Sequence, residues 1–303
     1  MASIAFLGAG KMAQGMIRRL LGAGNEVRVY NRTPAKAKPL AEAGARIAAS
    51  PRAAAEGADA IFSMVADDPA SRAVWLGPKG TSDGALAATH APGAFAVECS
   101  TLSRDWMIEL AGAAKARGLR FIDSPATGLP DVAASGKLVL LVGADKTDLD
   151  AARKLLAPLF AEIIHFGPVG AGTAYKLIVN TMGAVQIAAV AEALLTAEAA
   201  GLDLKTVDHA LATGAGASRQ VIRVSGLMSR GVHEPATFSG ALRLKDASYG
   251  VAMAQKLGVD VALGAAATAA FTRQVEAGLG DRNESRVIDA LRKANHQVTK
   301  TPR

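Results

Sequence analysis

The strongest constraint on the fold is an alternation, in the first half of the chain, of short apolar runs with alanine-rich helical stretches. A glycine or polar turn follows each run, and the runs are rich in Val, Ile and Phe. They lie at residues 4–7, 27–30, 60–65, 94–99, 121–122, 138–142 and 163–166. Strands that alternate with helices predict a mostly parallel sheet with helices on both faces.

The pattern changes after Gly167, because no further strand signal follows. A long proline-free helical pattern runs from Thr173 to about Ala200, and more helices are predicted at 206–212, 218–229, 242–257, 262–277 and 284–294. The glycine-rich segment 167–172 is therefore the predicted junction. We predict an α/β domain over residues 1–167 and an all-helical domain over 168–303, beginning with a long interdomain helix.

Composition narrows the class of protein. The chain has 303 residues, half of them hydrophobic, and one cysteine, Cys99, so it can bury a large core but cannot form an internal disulfide. No basic and apolar leader is apparent at the N-terminus, and we expect a cytoplasmic protein. The apolar stretch 177–195 contains Asn180, Gln186 and Glu192, which favours a buried helix over a membrane span.

The net charge of +7 comes from scattered Lys and Arg that are not interleaved with aromatic residues. This distribution argues against a nucleic-acid surface, whereas an anionic small molecule fits it.

The first strand leads into Gly8-Ala9-Gly10-Lys11-Met12-Ala13, which fits the pattern G-x-G-x-x-G/A. In that pattern the first glycine permits a tight turn, the second lets a pyrophosphate approach the backbone, and a small third residue lets helix and strand pack closely. The free N–H groups and the dipole at the helix start favour a phosphate. We therefore predict a dinucleotide-binding (Rossmann-type) turn.

The residues after the second strand indicate which dinucleotide binds. Asn31 stands where an acid would hold both ribose hydroxyls of NAD. Arg32 can grip a 2′-phosphate, with the Thr33 hydroxyl and Lys36 assisting, so NADP is favoured and NAD stays possible. An ordinary solvated turn, with Thr33 as N-cap and Pro34 at the first helical position, fits the same residues.

Lys176 and Asn180 lie four residues apart and should share a face at the start of the long helix. With Thr173 as N-cap, Lys176 would lie near the positive end of the helix dipole, which should lower the pKa of its ammonium. Such a lysine suits proton transfer to a carbonyl oxygen. The alternative is a surface lysine followed by a core asparagine.

A second candidate is the segment 123–130, after the strand at 121–122. Its Thr127 hydroxyl and Gly128 N–H could hold a small carboxylate, although the segment alone also fits a plain loop. His165 and His209 have no metal-ligand spacing with Cys99 or another histidine, so we interpret both as structural and predict no metal.

The ordered motifs resemble the β-hydroxyacid dehydrogenase family, with its 6-phosphogluconate dehydrogenase-like fold. They are the N-terminal glycine turn, Ser100-Thr101, the Asp123 to Gly128 stretch, Gly170 to Asn180 and Lys245-Asp246. The resemblance implies an NAD(P)-dependent dehydrogenase or reductase of small hydroxyacids or semialdehydes. It implies Lys176 as general acid/base, Asn180 as the residue that holds the substrate or the lysine, and Thr127 and Gly128 as the carboxylate anchor. It also implies that Lys245 reaches the cofactor and that Met64, Val65 and Thr101 lie beside the nicotinamide.

The chain departs from the family pattern at four positions. Thr127 replaces a serine, Leu129 and Val132 replace glycines, and Arg104 stands where a proline is expected. Thr127 keeps a hydroxyl, whereas Leu129 adds bulk beside the anchor, so the substrate of better-matched relatives does not transfer directly.

Two other functions fit parts of the pattern. One is an imine reductase of the same architecture. In imine reductases Asp or Tyr is expected at the position of Lys176, so this lysine argues against that function. The other is a non-catalytic NADP-binding scaffold, which would be expected to lose Lys176. The apolar length of the long helix predicts burial beyond its own domain, as in a homodimer or homotetramer.

Overall fold

A computed structural model of the chain describes residues 1–78 and 81–300, with side chains to residue 294. The end of the predicted second domain, residues 301–303, lies outside the described part. The chain forms two compact units, Met1–Lys176 and a second unit that begins at Leu177.

The first unit is built on one sheet, whose first six strands follow the order 3-2-1-4-5-6 of a doubly wound dinucleotide-binding fold. The pairs among these six strands are parallel, β8 pairs antiparallel with β6 and β7, and β9 pairs parallel with β8. The strands are β1 (Ser3–Leu7), β2 (Glu26–Tyr30), β3 (Arg46–Ile47), β4 (Ala60–Ser63), β5 (Phe95–Glu98), β6 (Arg120–Asp123), β7 (Ala126–Thr127), β8 (Leu138–Gly143) and β9 (Phe160–Gly167). The predicted fold class is confirmed.

Helices cover both faces of this sheet. Alternate residues of β1 enter separate core clusters, Ile4 and Phe6 in one and Ala5 and Leu7 in the other. Both sides of the strand are buried, which explains its continuous apolar run. The helices are α1 (Lys11–Gly22), α2 (Lys38–Ala41), α3 (Pro51–Ala55), α4 (Asp68–Leu76), α5 (Arg104–Lys115), α6 (Pro130–Ala134), α7 (Lys146–Leu156) and the start of α8 (Ala171–Ala199).

The described part of the second unit is helical, as predicted. Its core contains Ile187, Leu194, Val224, Phe271 and Ile288. Besides the rest of α8 it contains α9 (Leu204–Thr213), α10 (Arg219–Ser229), α11 (Gly240–Lys256), α12 (Ala262–Gln274) and α13 (Val287–Lys300). The Ser218 hydroxyl caps α10 by accepting from the Val221 N–H at 3.1 Å, so Ser218 is a helix start, as the sequence favoured.

Helix α8 is long and apolar, with 29 residues and a hydropathy of 1.6 over its most apolar window. By length and composition alone it could cross a membrane, and it is the one such helix in the part of the chain that the structure describes. Of that window, 39% is buried, and Ala184, Ile187, Ala191 and Leu194 enter the core of the second unit.

Candidate active site

The glycine turn after β1 has the geometry that a dinucleotide requires. Gly8 has φ +110, and a Cβ there would lie 2.3 Å from the Met64 carbonyl oxygen, so no larger residue fits. Gly10 is the N-cap of α1, where a Cβ would meet no atom within 4 Å. Lys11 and Met12 open α1, whose first turn contains no acid. The space beside Gly10 therefore lets a phosphate approach the start of this helix.

Asn31 holds this turn from the end of β2. Its Oδ1 accepts from the Ala9 N–H at 2.9 Å, and its Nδ2 donates to the Thr33 carbonyl at 2.7 Å. Asn31, which stands where an acid would bind the ribose of NAD, therefore fixes the turn relative to Arg32 and Thr33.

Arg32 and Thr33 supply donors beside that turn. Both are exposed, and within the described residues neither side chain has a hydrogen-bond partner. Thr33 is the N-cap of a 3-10 turn, Pro34–Lys36, but its hydroxyl makes no capping bond. Residues 31–38 contain no Asp or Glu. This donor set fits a 2′-phosphate, because no carboxylate is present to repel it.

Three polar residues end adjacent strands in register at the carboxyl edge of the sheet. Ser63 of β4 pairs with Glu98 of β5, and Glu98 pairs with Asp123 of β6. All three are fully buried. The carboxyl edge is where doubly wound folds bind ligands, and this buried row lies beneath the loops that begin there.

Glu98 organises the loops that carry Met64, Val65 and Thr101. Its carboxylate accepts from the Trp75 indole at 2.7 Å, from the Ser71 hydroxyl at 2.9 Å and from the Ser100 N–H at 2.9 Å. The Ser100 hydroxyl then accepts from the Val65 N–H at 2.8 Å. Burial raises the pKa of the Glu98 carboxyl. Glu98 was not among the predicted site residues; the available signal was a glutamate at the end of an apolar strand.

Asp123 binds the start of α8. Its carboxylate accepts from the Thr173 hydroxyl at 2.6 Å and from the N–H groups of Gly170 and Thr173, both at 3.0 Å. Burial raises the pKa of Asp123 to about 6. The prediction that Thr173 is the N-cap is wrong, because α8 begins at Ala171. A carboxylate from β6 binds the free N–H groups instead, and Thr173 orients it.

Lys176 lies beside the proposed carboxylate anchor. Its Nζ donates to the Ala126 carbonyl at 2.8 Å, and its side chain is half-buried. The next residue, Thr127, is exposed. The plain-loop interpretation is wrong here, because Ala126 and Thr127 pair with Leu140 and Val139 of β8.

Gly128 is held in a conformation that excludes other residues. It has φ +139, and a Cβ would lie 2.8 Å from Leu138 Cδ2 and 3.0 Å from Val132 Cγ1. Val132, one of the departures from the family pattern, therefore lies against Gly128. Leu129 is 37% exposed, so its added bulk lies at the surface beside the anchor.

In the second unit, Asp246 joins Asn180 to Lys245. The Asn180 Nδ2 donates to one Asp246 oxygen at 2.6 Å, and the Lys245 Nζ lies 2.7 Å from the other. Arg243 donates to the Asn180 carbonyl at 3.2 Å and binds the buried Glu284 at 2.6 Å. Asn180 is half-buried, so it is not the core asparagine of the alternative interpretation. The sequence analysis named Lys245 but did not assign a role to Asp246.

His165 and His209 lie in the first and the second unit, respectively. The His165 ring bonds to the Ala144 carbonyl at 2.9 Å, and His209 lies in α9. Among the described residues, no group of three or more His, Cys, Asp or Glu side chains could hold a metal ion.

A doubly wound sheet, a glycine turn that fits a pyrophosphate and a lysine beside a candidate anion site define an NAD(P)-dependent oxidoreductase. Comparison with known families agrees. Residues 3–167 match the NAD-binding domain of 6-phosphogluconate dehydrogenase, and residues 170–291 match the NAD-binding domain of NADP-dependent 3-hydroxyisobutyrate dehydrogenase. The chain belongs to the β-hydroxyacid dehydrogenase family, as its motifs predicted.

Relatives of known name cover most of the chain. Glyoxylate/succinic semialdehyde reductase 2 of Arabidopsis thaliana is 30% identical over 96% of this chain and 80% of its own length. NAD-dependent L-serine dehydrogenase of Pseudomonas aeruginosa is 35% identical over 71% of each chain. The structure of 3-hydroxyisobutyrate dehydrogenase from Mycobacterium tuberculosis with L-serine matches at a TM-score of 0.83 and 31% identity. The match covers 96% of this chain and 99% of that chain.

The relation to imine reductases is limited to the fold. The imine reductase from Pseudomonas sp. matches at a TM-score of 0.59 and 19% identity, covering 96% of this chain and 99% of its own. Family membership makes this chain a dehydrogenase or reductase of hydroxyl-bearing substrates that uses NAD(P).

Proposed function

We propose that the chain is an NADP-preferring reductase or dehydrogenase that acts on a small aldehyde-acid (semialdehyde) or β-hydroxyacid. Lys176 is the general acid/base, and Thr127 and Gly128 bind the substrate carboxylate. The observation that carries this proposal is the 2.8 Å hydrogen bond from Lys176 Nζ to the carbonyl of Ala126, the residue before Thr127.

The Lys176 ammonium, on α8, therefore bonds to the strand residue that precedes the proposed anion site at Thr127 and Gly128. The Thr127 hydroxyl is exposed and can donate to a carboxylate, and the Gly128 N–H follows it in the chain. Because the anchor and the ammonium are neighbours, a short acid held at Thr127 would present its oxygen-bearing carbon to Lys176. A small carboxylate-bearing substrate fits this spacing.

The bound dinucleotide supplies the hydride in reduction and accepts it in oxidation. Lys176 gives a proton to the substrate oxygen in reduction and takes it back in oxidation. Thr127 and Gly128 orient the carboxylate, and Met64, Val65 and Thr101, on loops fixed through Glu98 and Ser100, are assigned to the nicotinamide side. Asn180 and Lys245, oriented by Asp246, are assigned to the substrate and the cofactor.

The preference for NADP rests on Arg32. Its guanidinium is exposed at the end of β2, and the segment 31–38 lacks the acid that would bind the ribose hydroxyls of NAD. A planar guanidinium binds a phosphate through paired hydrogen bonds, to which the Thr33 hydroxyl can add a third.

Steady-state turnover with a substrate panel tests the proposal. Glyoxylate, succinic semialdehyde and tartronate semialdehyde are assayed with NADPH and NADH, and 3-hydroxyisobutyrate and L-serine with the oxidised cofactors. We expect turnover of carboxylate-bearing substrates, with the larger kcat/KM for NADP(H). The amide of each active acid is the matched control and should turn over poorly.

Cyclic imines assayed beside this panel separate the alternatives. Reduction of cyclic imines in preference to every aldehyde-acid would favour an imine reductase. NADPH binding without turnover of any substrate would favour a scaffold.

A further inference from the structure

Two hydrogen-bonded contacts join the segment 123–126, which runs from the end of β6 to the start of β7, to the start of α8 within the first unit. In one, Asp123 accepts from the hydroxyl and N–H of Thr173. In the other, the Lys176 ammonium donates to Ala126. The partners in both contacts are 50 residues apart in the sequence. The first and last residues of segment 123–126 therefore bond to the first and last residues of segment 173–176.

The first contact is more deeply buried than the second. Asp123 and Thr173 are both fully buried, whereas Lys176 is half-buried and Thr127 is exposed. The interior contact therefore holds the start of α8, and the Lys176–Ala126 contact lies nearer the surface, beside Thr127. A Cβ added to Gly143 would lie 2.8 Å from Asp123 Oδ2, so β8 restricts the carboxylate from a third direction.

We propose that Asp123 is a positioning residue that acts through Thr173. By holding the first turn of α8 against the end of β6, it fixes the distance between the Lys176 ammonium and the Thr127–Gly128 anchor. The inference rests on the proposed role of Lys176.

The physical reason is that a long lysine side chain has several rotatable bonds and reaches its target only if its backbone is held. Loss of about 1 Å in the placement of a catalytic group can cost a large factor in rate. A carboxylate that accepts one hydroxyl and two N–H groups holds that backbone without contacting the substrate. Loss of the Asp123–Thr173 contact should therefore lower kcat more than it weakens dinucleotide binding. The glycine turn that would bind the dinucleotide lies near the other end of the unit's sequence.

The test uses Thr173→Val, which removes the hydroxyl donor at nearly constant shape, and Thr173→Ser, which keeps it. Thr173→Val should lower kcat by about tenfold or more, with the NADPH Kd within about twofold of wild type. Thr173→Ser should restore most of kcat. Ser225→Ala is the matched control, because Ser225 donates a hydroxyl to Asp208 at the same 2.6 Å in the second unit, and it should keep wild-type kcat.

A double-mutant cycle with Lys176→Ala shows whether Thr173 acts through the lysine. We expect Thr173→Val to have little further effect in the Lys176→Ala background, because the group it positions is gone. An equal additional loss in that background, a Thr173→Val enzyme with full kcat, or no rescue by Thr173→Ser would overturn the inference. Near-normal turnover of Lys176→Ala alone would instead overturn the proposed function, so the two failures are distinguishable.

Discussion

Ionisation of Asp123 should make the first unit less stable as pH rises. Burial raises the pKa of this carboxyl from 3.8 to about 6 in the folded chain. The folded state then binds its proton more tightly than the unfolded state, so the added stability is complete below pH 3.8 and is lost as pH rises through about 6.

The size of this effect follows from the two pKa values. The gap between 3.8 and about 6 corresponds to about 3 kcal/mol in the free energy of unfolding. By proton linkage, the free energy of unfolding should fall by about 1.3 kcal/mol between pH 5 and pH 7 because of Asp123. Replacement by Asn removes the titrating group, so Asp123→Asn should lose this part of the pH dependence, whatever its stability at a single pH.

Urea denaturation followed by tryptophan fluorescence can measure this slope. Both tryptophans of the chain, Trp75 and Trp106, are buried in the first unit, so their emission reports the unit that contains Asp123. Wild type and Asp123→Asn are compared at pH 5, 6 and 7 at constant ionic strength. The other titratable groups are present in both proteins, so the difference between the two curves reports the loss of Asp123.

Asp131→Asn is the matched control, because Asp131 is an exposed carboxylate in the first turn of α6. It should keep the wild-type slope between pH 5 and pH 7. An Asp123→Asn protein with an unchanged slope would refute the argument that burial raises the pKa of this carboxyl to about 6.

Three further predictions concern the cofactor, the anchor and the buried row. Arg32→Asp should replace attraction by repulsion and weaken NADPH binding by on the order of 2–4 kcal/mol, with far less effect on NADH; equal losses in the two titrations would exclude a 2′-phosphate contact. Thr127→Ala should raise KM for a carboxylate substrate by about tenfold and change the matched amide little, and proportional losses for both would exclude the carboxylate role. Glu98→Gln should cost about 1–3 kcal/mol in urea denaturation, because an amide leaves buried donors unpaired. Glu109→Gln, which breaks an exposed ion pair with Arg72, should cost under about 1 kcal/mol, and an equally small loss for Glu98→Gln would contradict its assigned role.

Much of the fold could be predicted because its strands are buried on both faces. The seven predicted runs correspond to β1, β2, β4, β5, β6, β8 and β9, and the six predicted helices of the second half correspond to α8–α13 within a few residues. Strands β3 and β7 were missed, because two residues give no periodic signal and their pairing depends on neighbours distant in sequence.

The candidate site was predictable where local sequence dictates geometry. Gly8 has a positive φ and lies close to Met64, so only glycine fits there. A glycine pattern directly after a strand predicts this geometry from the sequence. The roles of Glu98 and Asp123 could not be read in this way, because their partners other than Ser100 lie 23 to 50 residues away and only the strand order brings them together. Thr173 was misassigned for the same reason, since a distant carboxylate binds the N–H groups that a local cap would otherwise satisfy.

The kcat of Lys176→Ala shows whether Lys176 is the general acid/base. The variant should fold, because Lys176 is half-buried and contributes no apolar core, and it should bind NADPH with a Kd within about twofold of wild type. Lys154→Ala, which removes an exposed lysine of α7, is the control and should keep wild-type rates. We predict that Lys176→Ala lowers kcat by roughly 10² to 10⁴ and that Lys176→Arg restores little, because a guanidinium does not release its proton. A Lys176→Ala enzyme with near-normal kcat would contradict the assignment of Lys176 as the general acid/base.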